Sequence, residues 1–162
     1  MDYKLYDAKD SKGKEIVLDL MQTYTKELSL YADETTHFTL LDNGLYHLGN
    51  YIDLYWEEEN RYPYILKNND KVVGFVLVRF NEENMYEIGE FFVKEEYRKL
   101  KAGTYMANEM FKRFHGKWEI RTLLKNKPAQ EFWRKVVNEV SNGVFEEKLI
   151  RNNSRLAFYF EN

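Results

Sequence analysis

Three β-forming runs follow one another in the middle of the chain with only polar turns between them, and few architectures accept that spacing. Tyr64-Ile65-Leu66 and Val72–Val78 are β-branched and aromatic, and a third run spans residues 85–93. Asn68-Asn69-Asp70 splits the first two; Asn and Asp tolerate left-handed backbone and bond their own main chain, so a hairpin turn is expected there. After this block the period changes. Residues 103–114 carry Met106, Met110 and Phe114 at helical spacing, residues 117–123 read as a strand, and residues 127–140 place Ala129, Phe132, Trp133, Val136, Val137 and Val140 on one helical face. Asn126 caps that helix, and Pro128 sits in its first turn, where an N–H has no helical partner. A second hairpin, 144–150 and 155–161, turns at Asn152-Asn153.

The first 60 residues predict a strand at 3–7 and a helix at about 13–31 through Ile16, Leu20, Met21, Tyr24 and Leu28. A polar loop at 33–50 and a short aromatic helix at 51–58 follow. The order βα(α)βββαβαββ is that of an α/β (α+β) chain with a mixed sheet and helices on its faces. At 162 residues, without low-complexity segments, repeats or a proline-marked linker, the chain is read as one domain, 1–162. It has no Cys, so disulfides, thiolate ligands and a cysteine nucleophile are excluded. His37, His47 and His115 lack metal-like spacing, and no metal is expected. No apolar run suits a membrane span, and Met1-Asp2-Tyr3-Lys4 is too polar for a signal peptide. The expectation is a cytoplasmic globular protein. A net charge of −3 counts against nucleic-acid binding.

One segment departs from that acidic average. Glu87–Val93 is a strand, Lys94–Thr104 a basic bend, and a helix starts behind it. Residues 94–121 hold eight basic and four acidic residues, a local balance of +4. A helix N-terminus with free N–H groups and added positive charge suits a phosphate. The competing reading is a run of solvated surface charge.

The bend reads Arg98-x-x-Lys101-x-Gly103, five residues beyond Val93, and Asn126-x-x-Ala129-x-x-Phe132-Trp133 follows downstream. This arrangement resembles the GNAT superfamily of acyl-CoA-dependent N-acetyltransferases, clearly over about residues 63–161 and by topology alone before that. The resemblance implies a six- to seven-stranded mixed sheet with about four helices, whose fourth and fifth strands splay apart. It implies acetyl-CoA in that gap, with pantetheine along the backbone of Phe91 and Val93 and an N–H near Phe92 or Val93 on the thioester oxygen. The pyrophosphate would rest on Arg98, Lys99, Leu100, Lys101, Ala102, Gly103 and Thr104, with Asn126 and Trp133 nearby. Two residues differ from the family pattern. Lys101 stands where the bend usually has glycine. Trp133 stands where the family usually has the tyrosine assigned to protonate the thiolate, and an indole is no acid near neutral pH.

Direct transfer to a primary amine, without a covalent enzyme intermediate, is implied, and a carboxylate would take the amine's proton. Glu87 and Glu90 are the candidates. Their odd separation of three puts them on opposite faces of the strand. The family register, six residues before the strand's last apolar position, favours Glu87. Either one can equally be a salt-bridged surface carboxylate. Glu57-Glu58-Glu59 beside Trp56, with Arg61 and Tyr62 close by, reads as an exposed helix end or as an acidic rim for a cationic amine. Lys101 and Trp133 also admit a second reading, a catalytically degenerate acyl-CoA-binding sensor or interaction module. The chain would be a monomer or homodimer with no nucleic-acid partner.

Overall fold

In the computed structural model, which describes residues 1–162, seven strands form one sheet in the order β1-β2-β3-β4-β5-β7-β6. The strands are β1 (Tyr3–Asp7), β2 (Arg61–Asn68), β3 (Lys71–Phe80), β4 (Met85–Val93), β5 (Lys117–Leu123), β6 (Glu146–Ile150) and β7 (Arg155–Glu161). Every pairing is antiparallel except β4 with β5. The helices are α1 (Ser11–Leu28), the single turn α2 (Leu54–Glu57), α3 (Ala102–Arg113) and α4 (Lys127–Val140). The mixed sheet, the strand count and the helices agree with the expected fold.

Local chemistry sets the element ends. The Asp10 side chain accepts from the Gly13 N–H at 2.7 Å and starts α1 two residues before the expected position. Asn126 does the same for α4, accepting from Ala129 N–H at 3.2 Å. Asn69 takes φ 54° in the β2–β3 turn, and Arg151, Asn152 and Asn153 take 52°, 54° and 62° in the β6–β7 turn. Left-handed backbone of this kind suits Asn, whose side chain bonds locally.

The two faces of the sheet are covered unequally. Below, α3 and α4 bury Met106, Met110, Phe111, Trp133, Val136 and Val137 against Val76, Ile88, Trp118, Ile120, Phe158 and Phe160. Above, α1 and α2 bury Val17, Leu20, Met21 and Tyr55 against Ile65, Phe75, Leu77 and Phe92. No residue of β5, β6 or β7 joins that upper cluster, so the upper face beyond β4 has no apolar cover. It carries Glu119, Arg121, Arg155 and Tyr159 instead, as alternation along β5 and β7 requires.

Two irregularities in β4 create the space for a site. Pairing with β5 runs from Met85↔Lys117 to Ile88↔Ile120 and stops, although β4 continues to Val93 and β5 to Leu123. From Gly89 onward the two strands part. At the same point the register against β3 shifts, since Leu77 faces Glu90 while Val78 faces Ile88. Gly89 is thus the extra residue of a β-bulge.

Candidate active site

The bulge overturns the expectation that Glu87 and Glu90 lie on opposite faces. Glu87 is opposite Arg79, and Glu90 is opposite Leu77, two residues apart on β3 and therefore on one face. The inserted Gly89 restores the phase that a separation of three would have broken. A Cβ on Gly89 would collide with the Tyr55 hydroxyl, so the bulge also depends on a missing side chain. Both carboxylates look upward, into the region that α1 does not fill.

Their surroundings differ. Glu87 is held by arginine: Arg79 Nε lies 3.4 Å and Arg121 Nη2 3.9 Å from its carboxylate. Glu90 has no arginine within ion-pair distance and accepts from the Tyr51 hydroxyl at 2.8 Å. Burial pushes the Glu90 carboxyl above its ordinary range, against the hydrogen bonding of Tyr24 and Tyr51. The same enclosure, with the Glu90 charge, raises the Tyr24 and Tyr51 hydroxyls well above theirs, so both stay protonated donors.

Two cavities adjoin at the parted strands. The smaller, about 370 Å³, runs between the β4 end, the start of α3 and the start of α4. Phe91, Phe92, Val93, Arg98, Gly103, Asn126 and Trp133, all expected in a cofactor site, line it. The larger, about 650 Å³, lies over the uncovered face and contains Glu90 on its wall. Tyr24, Leu28, Phe91, Asn126, Ala129 and Trp133 border both. Glu87 borders neither.

The backbone at the gap is set by strand alternation. The Lys94 N–H donates to the Val73 carbonyl at 2.9 Å. In an antiparallel ladder every second residue exchanges such bonds, so Phe92 turns its main chain toward β3 while Phe91 and Val93 turn theirs toward the gap. Of the two expected thioester donors, Val93 faces the gap and Phe92 does not. The Val93 carbonyl already accepts from Arg98 Nε at 2.8 Å, which leaves its N–H toward the cavity.

The basic bend is a 3-10 turn, Glu95–Leu100, followed by α3. Lys101 joins them in left-handed conformation, φ 62° and ψ 14°, the backbone for which glycine is the usual choice. Its exposed side chain borders neither cavity, so it does not narrow the site. No side chain caps α3, and the N–H groups of its first turn have no intrahelical acceptor. Gly103 lies under Phe132: a Cβ there would be 3.2 Å from the ring. Arg98 also pairs with Glu27 of α1, and the Tyr3 hydroxyl donates to the Leu100 carbonyl at 3.0 Å, so the bend is tied down at both ends. Lys99, Leu100, Lys101, Ala102 and Thr104 lie on the bend without lining the cavity by their side chains.

Several residues of this region were not singled out from sequence. Tyr24 reads there as one apolar helix position among others, and Tyr51 as part of an aromatic patch. The charged residues of β5 did give a signal, since Glu119 and Arg121 alternate with Trp118 and Ile120. That pattern marks a strand with one uncovered face. The acidic rim is absent from the site: Glu58 pairs with Arg61 at 2.9 Å, and Glu57, Glu58 and Glu59 border neither cavity. His37 and His47, given no role from sequence, border the larger one.

A model of the Acetyltransferase (GNAT) family matches residues 18–137. Among solved structures, an acetyltransferase from Thermus thermophilus superposes with a TM-score of 0.70 at 12% identity, over 100% of this chain and 98% of that one. Arabidopsis thaliana NAA60 in complex with a bisubstrate analogue gives 0.63 at 11%, over 98% and 97%. A Bacillus subtilis acetyltransferase in complex with CoA gives 0.56 at 17%, over 71% and 84%. At such identities the likeness is one of fold. Curated protein sequences contain no match.

Proposed function

The chain belongs to the acetyltransferase (GNAT) family, and we propose that it moves an acetyl group from acetyl-CoA directly to a primary amine, with Glu90 as the base. The observation that carries this reading is the meeting of the two cavities at Tyr24, Phe91 and Trp133, with Glu90 on the wall of the larger one.

The residues present fit the co-substrate. The smaller cavity is lined mostly by apolar residues and is bordered by Arg98 and by Gly103 at the uncapped start of α3, where N–H groups and positive charge suit the diphosphate. Phe91 and Val93 offer a strand edge for an extended amide chain, as in β-strand addition. The Val93 N–H is the donor for the carbonyl oxygen. Preorganised donors of that type are worth about 2.7–4 kcal/mol as charge develops there. Acetyl-CoA supplies the activated acetyl group.

A lysine-like amine has a pKa near 10.4 and reaches the site mostly protonated. Glu90 accepts that proton, directly or through water, and its raised pKa makes it a better base than an ordinary carboxylate. Glu87 is engaged by Arg79 and Arg121 and borders neither cavity, so it is not placed to meet the amine. The amine nitrogen then bonds to the acetyl carbon, the C–S bond breaks, and CoA leaves as the thiol. Of the two hydroxyls on the smaller cavity, that of Tyr24 stays a protonated donor to Glu90, so the thiolate proton comes from Tyr31 or from solvent.

The test is CoA-thiol release from acetyl-CoA across an amine panel, with the acetylated product weighed by mass spectrometry. Amine-dependent release with an N-acetyl product supports the enzyme. Tight CoA binding without turnover on a broad panel replaces it with the acyl-CoA sensor.

A further inference from the structure

We infer that the acceptor amine carries an anionic group, a carboxylate or a phosphate, held by Arg155, Arg151 and Arg121 on the wall of the same cavity that Glu90 borders. The inference rests on the N-acetyltransferase reading and names the chemical class of its acceptor.

Five arginines border the larger cavity, and Glu90 is its single acidic residue. They come from distant parts of the chain and meet through the sheet. Arg61 is opposite Arg79, Arg79 is opposite Glu87, and Glu87 is opposite Glu119, which makes one lateral row across β2, β3, β4 and β5. Arg121 lies on the same face one step further along β5, and Arg155 two steps further along β7. Three of the five have carboxylate partners: Arg61 with Glu58, Arg79 with Glu82 and Glu87, and Arg121 with Glu119.

Arg155 and Arg151 have none. Arg155 gives Nη1 to the Thr35 hydroxyl at 3.3 Å and to its neighbour's carbonyl, that of Ser154, at 2.9 Å. Asp33 is the acid that feels Arg155, but its carboxylate is engaged by Thr35 and Thr36. Arg151 makes no side-chain hydrogen bond, and its left-handed backbone is part of the tight β6–β7 turn. Arginine presents a planar fork that matches carboxylate and phosphate geometry. A cationic acceptor would meet two guanidinium groups without carboxylate partners, those of Arg155 and Arg151, beside three paired ones. An acceptor with an amine at one end and an anion at the other places each end on its complement.

The experiment compares kcat/KM within matched pairs: phenylalanine with phenethylamine, glutamate with 4-aminobutyrate, phosphoethanolamine with ethanolamine, and spermidine as the purely cationic amine. Charge-assisted hydrogen bonds are worth about tenfold or more in affinity. The acid-bearing member of either the first or the third pair is therefore preferred at least about tenfold, and which pair responds separates carboxylate from phosphate. Arg155→Ala shrinks that preference toward one by raising KM, and Arg155→Lys retains part of it; thermal melting checks that both variants fold. Preference for spermidine or for the acid-free amines overturns the inference and leaves the N-acetyltransferase reading standing. A preference that survives in Arg155→Ala/Arg151→Ala overturns it too. No transfer to any amine, with acetyl-CoA bound, takes down the N-acetyltransferase reading and this inference together.

Discussion

Replacing Glu90 and Glu87 one at a time by glutamine separates two carboxylates that share a face of β4 and differ in partners. Glu90 sits among Tyr24, Tyr51 and Tyr55 without an arginine, and burial has raised its pKa. In the folded chain it holds its proton at pH values where the unfolded chain, near 4.3, has lost it. The folded state then binds more protons than the unfolded one, so stability falls as pH rises through that window. Glu90→Gln removes this cost and still accepts from Tyr51, so its Tm at pH 8 equals or exceeds that of the parent. Its turnover falls by about 10²–10⁴, the usual worth of a positioned base. The acid limb of the parent's pH–rate profile lies above the ordinary glutamate range and disappears in the variant.

Glu87→Gln should behave in the opposite way. It takes away one of the two carboxylates beside Arg79 and leaves Glu82 as the other. That costs about 1 kcal/mol of stability or less, and turnover at a temperature where the variant is folded falls far less than in Glu90→Gln. CoA release is read with a thiol reagent; the chain has no cysteine to contribute background. If Glu90→Gln keeps full activity across pH 6–9, or if Glu87→Gln is the variant that loses turnover while its melting is unchanged, the assignment of the base is wrong.

Gly103→Glu should weaken CoA binding at least about a hundredfold, because it presses a Cβ toward Phe132 and sets a negative charge where the diphosphate would rest; calorimetry with CoA checks it, and unchanged affinity refutes the placement of the bend. Lys101→Gly should stabilise the fold by a net of about 0.5–1 kcal/mol, since relief of left-handed strain outweighs the added unfolded-state freedom; a lower Tm would contradict the bend's conformation. Gly74→Ala would bring a Cβ to the Phe92 carbonyl oxygen in the β3–β4 ladder, where only backbone movement relieves the clash. A loss of about 3 kcal/mol is expected in denaturant unfolding, and a variant as stable as the parent would show that the two strands are not so closely paired.

Much of the fold was legible because it depends on local periodicity. The apolar spacing of α4 and the Asn126 cap fall where the structure has them, and β4 and β5 keep their expected limits. The bend was legible through its charge and its position behind a strand. The orientation of Glu87 and Glu90 was not, because the bulge is a property of the pairing between β3 and β4. Gly89 inside a strand was the available sign, since interior glycine often marks a bulge. The partners of Glu90 were hidden for a related reason: Tyr24 and Tyr51 come from α1 and the segment before α2, and only the packing of α1 over Phe75 and Phe92 brings them to β4. The arginines of the larger cavity are spread from residue 61 to residue 155 and converge only through strand order.

Residue-resolved amide hydrogen exchange with and without CoA tests the cofactor site most directly. Phe91 and Val93, which face the gap, and Ala102, Gly103 and Thr104, which open α3, should exchange more slowly when CoA is bound, whereas Phe92, already engaged by β3, should not change. Protection confined to other segments, or none at saturating CoA, would contradict the account.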